Sequence, residues 1–269
     1  MEADMTREPA VAGMFYPDDK RELNGMIDGF MKRAEEECPP ERYRGIIAPH
    51  AGYVYSGQTQ AFSFTAEIPE RVVILGVNHR GAGRPVALFG KGYWNVPNGI
   101  LKCDGEISAV LKDKISTAGY DPAAHSGEHS IEVQLPFLIR KNPQALITPV
   151  LIYDYSPETA AQIGAALAEA LKKYPQTLII ASSDFTHYES RKPAARQDNL
   201  ASEKILAMDA EGLYKVVREK NISMCGLGPV MAMLFALRPG EVKRLFYDTS
   251  GTASGDYSSV VGYAAFAVK

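Results

Sequence analysis

The chain has 269 residues, a formal net charge of −3 and 46% hydrophobic residues, which is typical of a globular α/β protein. No basic excess points to nucleic acid, and no polybasic patch points to an anionic membrane, so we expect neither as a partner. No apolar run approaches the roughly 18 residues of a membrane span. The polar segment 1–9 has no secretory leader pattern. We therefore expect a cytoplasmic protein with one domain over 1–269.

The cysteines support a reducing compartment. There are three, an odd number, at Cys38, Cys103 and Cys225. None belongs to a C-x-x-C pair, so a structural zinc ribbon is excluded and free thiols are expected.

Alternating strand and helix patterns fill most of the chain. In chain order, they predict a helix over 20–37, strands over 45–48, 71–76 and 146–151, a helix over 157–173, a strand over 177–181, helices over 197–208, 209–220 and 228–237, and strands over 242–246 and 259–268. The strands are nearly continuous apolar runs, which is typical of strands covered on both faces. Because strands alternate with helices, we predict a three-layer α/β/α fold with a mostly parallel or mixed central sheet.

Three stretches interrupt this pattern. Pro149 lies inside 146–151 and predicts an interrupted strand or an edge strand. The Gly- and Pro-rich stretch 81–105 predicts a loop with short strands such as 85–89. The sequence AGYVYSG, residues 51–57, predicts a glycine-containing loop whose tyrosines pack or line a pocket.

Three of the five histidines follow the ends of predicted strands. His50 follows GIIAP, His79 follows RVVILGVN, and His187 follows TLIIASSDFT. In open α/β sheets the ligand site lies beyond the carboxyl ends of the strands, so we predict that these imidazoles share one pocket. Such a pocket suits a transition metal and offers an acid or a base. The alternative for each histidine taken singly is a hydrogen-bonded loop residue.

Two carboxylates accompany these histidines. Asp184 precedes His187 by three residues in SSDFTHYE, which places both on one side of a helical turn. Asp184 can be a ligand, can orient an imidazole, or can cap the following helix. Glu128 and His129 in SGEHSIEVQLPFL can add to the same pocket or form a capping box with Ser130.

Cys225 lies in SMCGLGPV, just before the predicted helix 228–237. A helix N-terminus favours the thiolate, which can be a soft metal ligand or a nucleophile. The alternative is a buried, inert cysteine. His125 is expected in an exposed loop outside the pocket.

Seven motifs in order make the chain resemble the MEMO family. They are VAGMFYP, IIAPHAGYVYSG, VILGVNHRG, EHSIEVQLPFL, SSDFTHY, SMCGLGPV and SSVVGYAA. The resemblance implies a fold like that of class III extradiol dioxygenases, which are non-haem iron enzymes that cleave catechol rings. It implies His50, His79 and Cys225 as metal ligands, with iron as the first expectation and copper or zinc as the others. Asp184 and His187 match further pocket residues, and the histidine like His187 is an acid/base in the dioxygenases.

Cys225 stands where the dioxygenases have a carboxylate. A thiolate in place of a hard carboxylate favours copper(I), zinc or iron and is open to oxidation. The resemblance therefore supports a metal site better than ring cleavage.

Three functions follow from these residues. The first is a metal-dependent oxidoreductase acting on a small molecule. The second is a protein-interaction module that keeps an enzyme-like pocket, as the resemblance to the animal MEMO protein implies. The third is a metal-independent hydrolase with Cys225 as nucleophile and His187 as base. The resemblance to prokaryotic relatives implies a radical-SAM protein system as partner, and the lack of a second histidine after His79 favours this branch.

Overall fold

The computed structural model describes residues 5–269. Residues 1–4 lie outside the described residues. They begin the polar segment 1–9, in which the sequence predicts no secretory leader. Strands β1 to β12 span Thr6–Arg7, Gly45–Ala48, Arg71–Val77, Val86–Leu88, Tyr93–Val96, Gly99–Cys103, Ala118–Tyr120, Leu146–Ile152, Thr177–Ser182, His187–Glu189, Val242–Thr249 and Val260–Val268. Helices α1 to α10 span Lys20–Glu37, Tyr53–Ser63, Gly105–Lys114, Pro122–His125, Leu135–Lys141, Pro157–Lys173, Arg191–Leu206, Ala210–Glu219, Leu227–Ala236 and Gly251–Ser254. A 3₁₀ turn, Glu132–Gln134, precedes α5.

The centre of the sheet consists of four parallel strands in the order β8-β3-β9-β2. Strand β12 pairs antiparallel with β2, which makes the sheet mixed. Helices α3, α6, α7, α8 and α9 contribute to the core on one face, and α1, α2 and α5 contribute on the other. Nearly every residue of the four central strands is therefore buried. The predicted three-layer α/β/α architecture is confirmed.

Pro149 lies within a continuous central strand, so the predicted interruption or edge position is wrong. Strand β8 pairs with β3 along its whole length on one side. On the other side its partner changes from β6, opposite Leu146 and Ile147, to β4, opposite Val150 onward. The Pro149 carbonyl accepts from Phe89 N–H on this second side, and the Pro149 nitrogen faces the same way. Because the proline lies in the gap between two partner strands, no ladder hydrogen bond is lost.

The stretch 51–57 is mostly helical, because α2 begins at Tyr53. Gly57, which favoured a loop in the sequence, lies where α2 contacts α1. A Cβ at this position would lie 2.4 Å from Phe30 Cε2, so the glycine allows the two helices to approach closely. Tyr53 packs in the core, whereas Tyr55 is exposed. The stretch 81–105 holds short strands, as predicted, and one of them, β4, lies within the predicted strand 85–89.

Two further expectations are wrong. Residues 183–186 are not helical, and β10, which follows them, pairs with β12, so Asp184 and His187 do not share a helical turn. His125 is fully buried between Phe89 and Trp94, with ring centroids 5.6 Å from each. Burial lowers the pKa of His125 to about 3. An imidazole packed edge-on against two aromatic rings behaves as a neutral core side chain.

None of the helices in the described part of the chain is both long and apolar enough to cross a membrane.

Asp19 caps α1 and gives a test of local stability. Its carboxylate accepts from the backbone N–H groups of Arg21 and Glu22, at 2.9 and 2.8 Å. We expect Asp19→Ala to lower the free energy of unfolding by about 1 kcal/mol, because both N–H groups lose their acceptor. Urea unfolding measures the change, and Asp19→Asn, which keeps a capping oxygen, is the control. Equal losses in the two variants would contradict the capping role.

Candidate functional site

The carboxyl ends of the central strands deliver histidines to one place. His50 follows β2, His79 follows β3, and His129 comes from the segment between α4 and the 3₁₀ turn. One ring nitrogen from each of these three side chains lies within 4.8 Å of the other two. The rings of His79 and His129 stack with centroids 4.7 Å apart, and His50 meets both edge-on. The tight trio therefore contains His129, and His187 is not among its members.

The Glu128 carboxylate binds two members of this trio, His79 and His129. One oxygen, Oε1, accepts from His79 Nδ1 at 3.0 Å and from the N–H groups of His129 and Ser130 at 2.7 and 2.9 Å. The other oxygen, Oε2, accepts from His79 N–H at 2.8 Å. Burial raises the pKa of Glu128, but His79 and the backbone donors outweigh it and lower the pKa to about 2. Both oxygens of Glu128 are engaged, so this carboxylate orients the His79 ring.

His50 and Cys225 touch at the floor of the pocket. The Nδ1 atom of His50 lies 2.8 Å from Ser182 Oγ, and its Nε2 atom lies 3.2 Å from Cys225 Sγ. Burial, together with the neighbouring histidines, holds the pKa of His50 well below its usual value. Burial also lowers the pKa of His129 to about 4, against the opposing effect of Glu128. Both imidazoles are neutral at pH 7, which is the form that binds metals.

Cys225 is half-buried just before α9. The sequence suggested that the thiolate form is favoured at this position, but the structure favours the neutral thiol. Burial raises the pKa of the thiol well above its usual value, and the nearby Asp184 carboxylate raises it further. The N–H of Asp184 contacts Sγ at 3.2 Å but does not reverse the shift. Without a bound cation the side chain is therefore a neutral thiol.

Asp184 supports the backbone around His50. Its Oδ1 accepts from the N–H of His50 at 2.8 Å, and burial raises the pKa of this carboxyl above its usual value. Asp184 thus joins the end of β9 to the turn after β2. The carboxylate of Asp184 holds the backbone N–H of His50, and the backbone N–H of Asp184 contacts Cys225 Sγ.

His187 lies at the partly exposed side of the site. Its Nδ1 is 2.9 Å from the Ser223 carbonyl, and its N–H donates to Ser223 Oγ at 2.7 Å. A carbonyl only accepts, so Nδ1 carries the proton and Nε2 keeps a free lone pair. Ser223 was not predicted as a site residue. The feature of the sequence that could have indicated it is its position two residues before Cys225. The two contacts with Ser223 fix the backbone and the ring orientation of His187.

The fold and this histidine-rich edge define a three-layer α/β/α protein with a mostly parallel central sheet and a cluster of histidines at the carboxyl ends of its strands. A family model described as "Memo-like protein" matches residues 7–267. A "MEMO1 family protein" of Desulfurococcus amylolyticus is 40% identical over 275 residues, covering 96% of this chain and 97% of that protein. A MEMO1 family protein of Methanocaldococcus jannaschii is 42% identical over 287 residues, covering 98% and 99%. The chain belongs to the MEMO family, which confirms the resemblance found in the sequence.

A solved structure supports the fold independently. It is an uncharacterized protein of Escherichia coli K12, matched with a TM-score of 0.55 over 84% of this chain and 100% of that chain. The two sequences are only 13% identical, so the likeness concerns the fold alone. This likeness bears out the predicted three-layer α/β/α fold class.

Proposed function

We propose that this protein binds one transition-metal ion through His50, His79 and Cys225 and acts as a metal-dependent oxidoreductase on a small molecule. The observation that carries the proposal is the convergence of imidazoles whose Nδ1 atoms already have partners. His50 uses Nδ1 on Ser182, and His79 uses Nδ1 on Glu128. Each ring therefore has Nε2 available to bind a metal ion. Histidines that bind metals typically use their other ring nitrogen for a hydrogen bond in this way.

The chemistry of these donors fits iron, copper or zinc. Imidazole and thiolate are borderline and soft ligands, whereas magnesium and calcium prefer oxygen. A bound metal ion deprotonates a coordinating thiol, which offsets the raised pKa of Cys225. When bound, iron or copper supplies redox chemistry and a Lewis acid. Iron is the first expectation because the family resemblance implies a fold like that of non-haem iron enzymes.

The chain's own residues have distinct roles in this proposal. His187 accepts or donates a proton at Nε2, because Nδ1 is committed to Ser223. Asp184 positions His50 and Cys225 through hydrogen bonds at its carboxylate and its N–H. Glu128 orients His79, and His129 lines the pocket beside it. Metal-independent hydrolysis fits less well, since Cys225 contacts His50 and its thiol pKa is raised.

His129 competes with Cys225 for the role of third ligand. Its ring belongs to the close trio, whereas Cys225 contacts only one member, His50. The His129 Nδ1 atom lies 3.3 Å from Glu128 Oε1, so its Nε2, like that of His79, is left for a ligand. We nevertheless favour Cys225, because its sulfur already lies 3.2 Å from His50 Nε2, the atom that we propose as a metal ligand.

Cobalt(II) binding to untagged protein separates these ligand sets. A thiolate ligand gives cobalt(II) a strong near-ultraviolet charge-transfer band that imidazole does not give. We expect the band in the native protein, in Cys38→Ser and in His129→Asn, and its loss in Cys225→Ser. Metal analysis of the purified protein identifies the native ion. No uptake of iron, copper, zinc or cobalt would refute the metal site, and a band that survives Cys225→Ser would exclude Cys225 as the thiolate ligand.

The second candidate is an interaction module that keeps the pocket without turnover. Aromatic side chains are exposed in segments next to the site, namely Tyr55 near the start of α2 and Tyr188 beside His187, 48% and 79% exposed. A partner that binds Cys225→Ala and His187→Ala proteins as well as native protein would favour this function. A radical-SAM protein is the partner to test first. The three free thiols are in keeping with the cytoplasmic location that we propose.

A further inference from the structure

We infer that three buried side chains outside the ligand set, Gln60, Gln134 and Ser182, fix His50 in the tautomer that carries its proton on Nδ1. The inference rests on the proposed function in one respect, which is that it leaves Nε2 as the metal-binding atom. The three residues come from α2, the 3₁₀ turn and β9, and all are fully buried. They form a chain of hydrogen bonds in which each direction can be assigned from a backbone carbonyl.

Gln60 begins the chain. Its Nε2 donates to the Val133 carbonyl at 2.9 Å and to Gln134 Oε1 at 2.8 Å. A carbonyl oxygen only accepts, so the atom of Gln60 that faces it must be the amide nitrogen. The side-chain atom of Gln134 that receives the second bond must then be its oxygen.

Gln134 continues the chain towards the pocket. Its Nε2 donates to the Pro49 carbonyl at 2.9 Å and to Ser182 Oγ at 3.0 Å. The Pro49 carbonyl again requires a donor, so the orientation of this amide is fixed from both of its ends. Ser182 Oγ therefore accepts the bond from Gln134.

Ser182 decides the tautomer. Its Oγ lies 2.7 Å from the Ser130 carbonyl, and this contact uses the single hydroxyl proton. The remaining contact of Oγ, 2.8 Å to His50 Nδ1, can then be bridged only by a proton on the imidazole. The Nε2–H tautomer would place two lone pairs against each other, or would leave the buried Ser130 carbonyl without a donor. His50 therefore presents an unprotonated Nε2 to Cys225 Sγ.

These residues are positioning residues, because Gln60 and Gln134 act on His50 only through Ser182. Without this series of hydrogen bonds, the His50 imidazole loses Ser182 Oγ as the acceptor that selects one tautomer. A ring with its proton on Nε2 must first exchange tautomers before that nitrogen can bind a metal ion. We therefore expect the loss of Ser182 to weaken metal affinity by about 10–100-fold, which is the usual effect of removing such a partner.

Nitrogen-15 NMR of histidine-labelled protein, recorded without added metal, reads the tautomer directly. We expect a protonated Nδ1 and an unprotonated Nε2 for His50 in the native protein. Ser182→Ala should move both shifts towards intermediate values, and Gln134→Met should move them less, because the Ser130 carbonyl remains. Ser182→Thr, which keeps the hydroxyl, should restore the native shifts.

The matched control is Ser63→Ala, a buried serine whose hydroxyl donates to the Ile47 carbonyl at 2.7 Å. It should leave the His50 shifts unchanged. A native His50 with its proton on Nε2, or unchanged shifts in both Ser182→Ala and Gln134→Met, would overturn the inference. Because the spectra need no metal, a protein that binds no metal can still show the predicted tautomer, and a metal-binding protein can still fail this test.

Discussion

Glu132→Ala is expected to lower the free energy of unfolding by about 3–5 kcal/mol, because it leaves a buried charge without its partner. The Glu132 carboxylate forms an ion pair with Arg7 and accepts from the Tyr16 hydroxyl. It also accepts from the N–H groups of Ala10 and Val11, at 2.8 and 3.0 Å. Alanine would remove the acceptor from all four donors at once.

Solvent cannot replace this carboxylate. The side chains of Arg7 and Glu132 are 3% and 0% exposed, and the guanidinium lies 4.6 Å from the centre of the Trp94 ring. A loss of this size is a large part of the 5–15 kcal/mol that typically stabilises a folded domain. Chemical unfolding followed by circular dichroism measures it.

The matched control is Glu37→Ala, which breaks a half-exposed ion pair with Arg33 at the end of α1. We expect it to cost about 0.3–0.5 kcal/mol, as for other exposed pairs one helical turn apart. A Glu132→Ala protein as stable as Glu37→Ala would show that the buried network contributes little net stability.

The same network connects the N-terminal segment to the pocket. Besides Glu132, Arg7 binds the carbonyls of Glu128 and His125, at 2.7 and 3.1 Å. Phe15 in the same segment packs against the His129 ring with centroids 4.8 Å apart. The segment that carries Glu128 and His129 is therefore held by residues more than a hundred positions earlier in the chain.

This long-range support explains why the sequence left the place of His129 open between the pocket and a capping box. His50 and His79 could be predicted because each follows a buried parallel strand, and parallel strands end at one edge. His129 follows no strand, and its place depends on Arg7 and Glu132. The sequence next to His129 does not indicate the contacts with Arg7 and Phe15, because both lie more than a hundred positions earlier in the chain.

The fold was predictable where one local pattern dominated. The helix Lys20–Glu37 and the strand Gly45–Ala48 have the bounds that periodicity predicts. Helix α2 was missed because Gly57 favours a loop locally, whereas its contact with Phe30 favours a helix. Asp184 was misplaced on a helical turn because its partner, the His50 N–H, comes from another strand end. In both cases a tertiary contact outweighed the local signal.

Glu128→Gln is expected to lower metal affinity by about 10–100-fold, which is the usual effect of removing a carboxylate behind a histidine ligand. The change is nearly isosteric, but an amide has one acceptor oxygen where the carboxylate has two. If that oxygen takes the place of Oε1, the amide NH₂ faces the His79 N–H, which now contacts Oε2 at 2.8 Å. Two donors then oppose each other, and the turn that holds His79 must move.

Competition with a chelator of known affinity measures the change, with unfolding measured in parallel. Glu67→Gln, at an exposed position, is the matched control and should bind metal as the native protein does. Native affinity in Glu128→Gln would mean that the negative charge and the second oxygen are dispensable for orienting His79.

Because Glu128 accepts from His79 Nδ1 as well as from the backbone of His129 and Ser130, its loss should disturb two of the three clustered imidazoles together. Replacing His129 alone disturbs only one, so the difference in affinity between Glu128→Gln and His129→Asn measures what the carboxylate contributes through His79.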